Sequence, residues 1–271
     1  MSYYEELGLT KEPFSTSPDP EFFYRSSEHN TALHRLEIAV RLRRGLSLIL
    51  GDVGTGKTTL SRTFLQSFDN EENYIFKLIL DPTYKSEFQF LSSLTKMFDV
   101  TPAFRSTLDY KEAIEKYLFK RGVDENKTII VLIDEGQKLN HSFLEILRTL
   151  LNYETNEYKL LQLIVLAQME LLPRIKRIKN FYDRVTMKYI INPLDESETE
   201  EMIRFRLIKA GMAENRDLFS SEATKLIYEH TQGYPRKISI LSHNALEHIV
   251  MSDKRLVDSS VIKDLISKEV L

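Results

Sequence analysis

The sequence predicts an α/β fold, a five-stranded parallel sheet flanked by helices and followed by a small all-helical domain. Five short runs rich in Leu, Ile and Val recur between residues 46 and 191. Amphipathic stretches alternate with them, as strand-helix-strand units require. Beyond Pro193 the apolar runs stop and only helical patterns remain.

The runs are LSLIL (46–50), YIFKLIL (74–80), TIIVLI (128–133), LLQLIVLA (160–167) and VTMKYII (185–191). The third and fourth are nearly unbroken in apolar residues, the mark of strands covered on both faces. Helical patterns fall at Thr58–Phe68, Glu87–Phe98, Tyr110–Lys120 and Ser142–Tyr153. After the boundary, DESETEEMIRFRLIKAG carries a cap at Asp195 or Ser197, early acids and a closing Gly211, which delimit a helix. SSEATKLIYEHTQG, PRKISILSHNALEHIVM and Asp258–Lys268 supply three more. The expected domains are therefore 1–193, α/β, and 194–271, helical, with residues 1–40 as an N-terminal segment of the first. Within that segment, EPFSTSPDPEFFY (12–24) holds three prolines, three phenylalanines and a tyrosine. It is too apolar for a solvated tail and too rich in proline for a helix or a central strand.

Composition narrows the chemistry. The 271 residues carry a net charge of −3, so no global basic field points to nucleic acid. The absence of cysteine removes disulfides, thiolate catalysis and cysteine-ligated metal. His29, His34 and the other histidines show no metal spacing. The N-terminus lacks the pattern of a signal peptide, and the longest apolar run, TIIVLI, is far short of the ~18 residues of a membrane span. The expectation is a soluble, cytoplasmic protein.

GDVGTGKT, Gly51 to Thr58, fits G-x-x-x-x-G-K-[ST] between a predicted strand and a predicted helix. Glycines let the backbone curl so that N–H groups face phosphate oxygens at a helix N-terminus. Gly51, Asp52, Val53, Gly54, Thr55, Gly56, Lys57, Thr58 and Thr59 are thus the candidate contacts for ATP. Lys57 is assigned to the β- and γ-phosphates and the Thr58 hydroxyl to Mg²⁺. The third strand delivers Asp134 and Glu135 to its carboxyl end, where ligands collect in open α/β sheets. Asp134 is expected to hold Mg²⁺, and Glu135 to orient and polarise the attacking water.

These motifs together resemble the AAA+ ATPases. DEGQKL, VLAQMEL and GYPRKI, with Pro13, Phe14, Pro18, Asp19, Pro20, Phe22, Tyr24, Ser26, His29, Ala32 and Leu33 of the opening strip, resemble more narrowly the ExeA-type (general secretion pathway protein A) branch, itself similar to ATPase regulators of Tn7-like transposons. The likeness runs from about residue 4 to 266, and departs at Ala167 and Met169, where glycine and proline are usual. It implies that the N-terminal strip wraps the adenine side of the nucleotide, with Phe14, Phe22 or Phe23 against the base. It implies a sensor role for Gln168 at the end of the fourth strand. Arg236, following Gly233 and Pro235, opens a helix where a cation gains nothing from the dipole, so the γ-phosphate explains it. A neighbouring subunit is expected to supply a finger, Arg184, with Arg174 and Arg177 as rivals, and hence a ring or helical filament.

The resemblance leaves three functional readings: a switch driving assembly of an envelope machine, an ATP-dependent DNA-binding regulator of transposition, or a nucleotide-gated adaptor with little turnover. ExeA-type proteins usually continue into a membrane span and a cell-wall-binding domain. This sequence carries neither, which lowers the first reading and raises the second while leaving the first in the lead. PRIKRIKNFYDRVTMK (173–188), with six basic residues and one acid, is either a phosphate-backbone patch or a solvated helix face beside the finger.

Overall fold

The computed structural model describes residues 2–103 and 106–269. The chain divides into two compact units. Thr31–Asp52 and Thr63–Ile191 make a sheet unit, and Met1–Asn30, Val53–Arg62 and Asn192–Leu271 make a helical unit.

The strands are β1 (Leu46–Leu50), β2 (Tyr74–Ile79), β3 (Thr128–Ile133), β4 (Leu161–Ala167) and β5 (Val185–Ile190). They form one sheet in the order β2-β3-β4-β1-β5, and every pairing is parallel. All residues of β1, β3 and β4 are buried, in keeping with their largely apolar runs, whereas the edge strands β2 and β5 are partly exposed. Thr186 is an extra residue between the pairs Leu46–Val185 and Ser47–Met187, and its hydroxyl donates to Leu46 O at 3.0 Å.

The helices are α1 (Tyr3–Glu6), α2 (Ser27–Arg41), α3 (Lys57–Gln66), α4 (Glu87–Phe98), α5 (Thr107–Phe119) and α6 (His141–Leu150). They continue with α7 (Leu171–Arg177), α8 (Lys179–Tyr182), α9 (Glu196–Lys209), α10 (Ser221–Thr231), α11 (Pro235–Met251) and α12 (Ser259–Glu269). Phe90, Leu91 and Leu94 of α4, Ile114 and Leu118 of α5 and Leu147 of α6 pack with Val131, Ile133, Leu163 and Val165 in one core. Each such side chain contributes about 1.5–3 kcal/mol by leaving water.

In the helical unit, Ile203 and Leu207 of α9, Ile227 of α10, Ile238 and Leu246 of α11 and Val261 and Ile262 of α12 form a second core. Asp195, not Ser197, caps α9: its carboxylate accepts the Glu198 N–H at 2.8 Å, and Glu198 returns the bond to the Asp195 N–H. Apart from an isolated bridge between Phe219 and Val257, no strand pairing occurs in this unit among the described residues.

The N-terminal strip is anchored in the same unit by its aromatic side chains. Asp19 caps a short turn, Pro20–Phe22, and Phe14 and Phe22 enter the helical core, with Phe14 edge-on to Phe219 at 6.1 Å. Arg206 of α9 donates to Phe22 O at 3.1 Å, Ser15 O at 3.3 Å and Ser239 Oγ at 2.9 Å. Proline-rich backbone lacks ladder partners, so a forked cation satisfies its carbonyls instead.

Candidate functional site

Two groups of sequence-predicted residues are assembled, one in each unit. In the helical unit lies the glycine-rich turn. Gly54 and Gly56 have φ of +85° and +93°, values that strain any residue bearing a Cβ. Contact is close as well: a Cβ would lie 3.0 Å from Arg236 Cβ at Gly54 and 3.1 Å from His29 Nε2 at Gly56. Gly54 O accepts the Arg236 N–H at 3.2 Å, and His29 Nε2 lies 2.9 Å from Thr55 O. Lys57, Thr58 and Thr59 form the first turn of α3, where N–H groups lack intrahelical acceptors and the dipole favours anions. Pro235 sits at the first position of α11 with Arg236 next to it, and Tyr234 precedes them as the cap residue.

The aromatic candidates of the strip differ in setting. Phe14, 1% exposed, and Phe22 are core residues, whereas Phe23 lies against the His29 ring, centroids 4.9 Å apart. Burial lowers the pKa of His29, outweighing the opposing effect of its bond to Thr55 O, so the ring is neutral near pH 7.

In the sheet unit, β1, β4 and β3 are adjacent and parallel, so Gly51, Gln168 and Asp134 all leave the sheet at its carboxyl edge. The Gly51 N–H donates to Ala167 O at 3.2 Å, extending the ladder beyond β1, and exposed Asp52 follows. Asp134, 6% exposed, donates its N–H to Ile79 O and accepts the Glu135 N–H at Oδ1, both at 2.8 Å. Glu135 adopts a left-handed φ of +52°. Gln137 then joins two of the predicted residues: its Nε2 donates to Glu135 Oε2 at 2.8 Å, while its Oε1 accepts the Gln168 N–H at 3.1 Å. Arg174 of α7 supports this turn by donating to Gln137 O at 2.5 Å and to Leu139 O.

Arg184 stands apart from these residues. It precedes β5, whose Val185 pairs with Leu46 at the start of β1, so it lies at the amino edge of the sheet. Its Nη2 donates to Asn152 Oδ1, and its buried Nε has no hydrogen-bond partner among the described residues. In α7 and α8, Ile175 and Phe181 are buried while Lys176, Arg177 and Lys179 are exposed.

Sequence reading missed two of the residues gathered here, His29 and Gln137. Metal-ligand spacing passes over His29 because the ring lies against a backbone carbonyl. The available signal was Ser26-x-x-His29 at the start of α2, a capping pattern with histidine in the usual place of glutamate. Gln137 follows the two acids, but nothing in the spacing reveals that it folds back on Glu135.

The AAA domain family model matches residues 40–175. General secretion pathway protein A of Aeromonas hydrophila is 34% identical over 253 residues, which is 90% of this chain and 44% of that protein, so the chain spans less than half of this relative. Among solved structures, the Aeropyrum pernix ORC2 protein (ADPNP-ADP complexes) aligns with a TM-score of 0.67 at 15% identity, covering 95% of this chain and 71% of that one. Drosophila ORC bound to DNA gives 0.71 at 18% identity, with 98% and 66% covered. The Thermotoga maritima RuvB Holliday junction branch migration motor gives 0.59 at 13% identity, with 93% and 73% covered. At such identities these likenesses establish the fold. Among the described residues no helix is long and apolar enough to cross a membrane.

Proposed function

Because the chain belongs to the AAA domain family of P-loop ATPases, we propose that it binds Mg·ATP, hydrolyses it to ADP and phosphate, and thereby switches its own assembly or that of a partner. The observation that carries this reading is the common edge of β1, β4 and β3, at which the phosphate loop begins and Gln168, Asp134 and Glu135 emerge.

The residues fit the roles given to them. Left-handed glycines at 54 and 56 let the backbone curl so that its N–H groups can face a phosphate. Lys57 meets the β- and γ-phosphates. Thr58 and Asp134 offer two oxygens to Mg²⁺, and since that ion keeps water and phosphate as its other ligands, no larger protein cage is needed. When bound, Mg²⁺ neutralises charge on the phosphate oxygens. Glu135 orients and polarises the attacking water, the Gln168 amide bridges that water and the γ-phosphate, and Arg236 reaches the same phosphate. Arg184 acts on the nucleotide of a neighbouring subunit. Arg177 is the remaining rival, since both guanidinium arms of Arg174 already hold carbonyls.

Mutation separates ground-state binding from chemistry. Lys57→Ala is expected to lose nucleotide binding in a fluorescent-nucleotide titration. Glu135→Gln should bind ATP within a few-fold of wild type but hydrolyse it at least ~100-fold more slowly, the scale of a lost general base. Near-normal turnover by Glu135→Gln would sink the assignment, and a wild-type burst without further turnover would favour the nucleotide-gated adaptor.

By similarity to general secretion pathway protein A, the role we assign is assembly of an envelope machine. A second reading, DNA binding in a filament, draws on the exposed Lys176, Arg177 and Lys179 of α7 and α8.

A further inference from the structure

Ser26 accepts the His29 N–H at Oγ (3.3 Å) and the Asn30 N–H at its carbonyl (2.9 Å), opening α2. The His29 ring folds back over this cap, with Nδ1 2.8 Å from Ser26 Oγ and Nε2 2.9 Å from Thr55 O. A carbonyl only accepts, so Nε2 carries the proton and Nδ1 of the neutral ring accepts from the Ser26 hydroxyl. The ring is 1% exposed, and Phe23 closes one side of it. Tautomer, rotamer and position are therefore set by the protein alone.

Among the described residues no peptide bond is cis. In a trans peptide the carbonyl and the following N–H point in opposite directions. Holding Thr55 O against the ring thus turns the Gly56 N–H away from it. Rotation of this peptide is the motion a glycine permits most readily, because Gly56 has no Cβ to resist it. The loop needs an external restraint at this point, and the sequence supplies one from the N-terminal strip.

From this geometry we propose that His29 is a positioning residue, which fixes the Thr55–Gly56 peptide so that the Gly56 N–H faces the phosphate. The proposal rests on the nucleotide reading above for the identity of its ligand, but not for the restraint itself. It also explains why residues 12–29 are built into the fold. By seating His29 and Phe23, the strip holds the loop in its binding geometry before ATP arrives. Removal of the ring should take this hydrogen bond from the carbonyl of Thr55, a buried residue, and loosen the hold on the Thr55–Gly56 peptide.

The test compares His29→Leu, which fills the space without a donor, with His29→Gln, whose amide reaches toward Thr55 O. Both are checked for folding by circular dichroism and thermal melting. Two readouts follow: hydrogen exchange of the 54–57 amides without nucleotide, and affinity for fluorescent ATP. His29→Leu is expected to raise exchange in the loop and weaken affinity about tenfold or more, the scale of a lost buried hydrogen bond. His29→Gln should recover most of both. Should His29→Leu fail to fold, His29→Asn replaces it, since its shorter arm cannot span to Thr55. If the donor-lacking or short-armed variant matches His29→Gln in both exchange and affinity, the proposal is overturned. If wild type binds no nucleotide while loop exchange still follows the donor, the nucleotide reading fails and the restraint stands.

Discussion

At the scale of single residues, Arg206 shows how the unusual N-terminal strip is held. Its guanidinium is bound by neutral oxygens, those of Ser15, Phe22 and Ser239, and burial pushes its pKa down to about 10. Planar, five-donor geometry suits it to three acceptors on two segments, which an ammonium cannot span. Arg206→Ala is expected to lower unfolding free energy by about 2–3 kcal/mol, because two carbonyls and a hydroxyl lose a charged donor together. Arg206→Lys should recover less than half of that in urea denaturation. An alanine variant as stable as wild type would show that the strip needs no such tie. Neither residue-scale anchor of the strip, Arg206 or His29, shows its carbonyl partners in the sequence. Each acts on backbone carbonyls, and carbonyls are the same at every position.

At the scale of elements the sequence is far more legible, for a physical reason. A strand covered on both faces is largely apolar, so β1 and β3 are delimited to the residue and β4 to within one. The same holds for α4 and α11, the latter opened by Pro235. The helix α2 was not visible, although Ala32, Leu36, Ala39 and Val40 are its buried apolar positions, because the proline-rich strip hides where helix begins. Likewise α7 and α8 read from sequence as a basic run, since only Leu171, Ile175 and Phe181 are buried in them. Those two helices also decide between the functional readings. Phosphate contacts by Lys176 and Lys179 would give weakly sequence-dependent binding with a log-log salt slope of about −0.9 per contact. The expected outcome is no ATP-dependent shift of duplex DNA at ~100 mM salt, because net charge is −3 and no basic field draws DNA in. A shift that disappears in Lys176→Glu/Lys179→Glu, with basal hydrolysis kept, would establish the DNA reading instead.

At the scale of the whole molecule, Arg184 lies at one edge of the parallel sheet, and Glu135 and Gln168 at the other. If Arg184 serves a neighbour, as proposed above, the contact it makes is head-to-tail and would close into a ring or grow as a filament. Activity per subunit should therefore rise with protein concentration. Arg184→Ala should abolish the rise while ATP affinity stays within a few-fold. Constant specific activity from a protein shown by light scattering to be a monomer would exclude such a finger. A different consequence follows from the path of the chain, which passes between its two compact units at 30/31, 52/53, 62/63 and 191/192. The helical unit takes in the phosphate loop near the start and α9 to α12 at the end, so a ribosome delivers its parts far apart in time. Gly54 O meets its Arg236 partner only after 181 intervening residues have been made. A nascent chain can complete every strand of its sheet and still lack this anchor, so the proposed nucleotide site would be finished late in synthesis rather than with the first half of the protein.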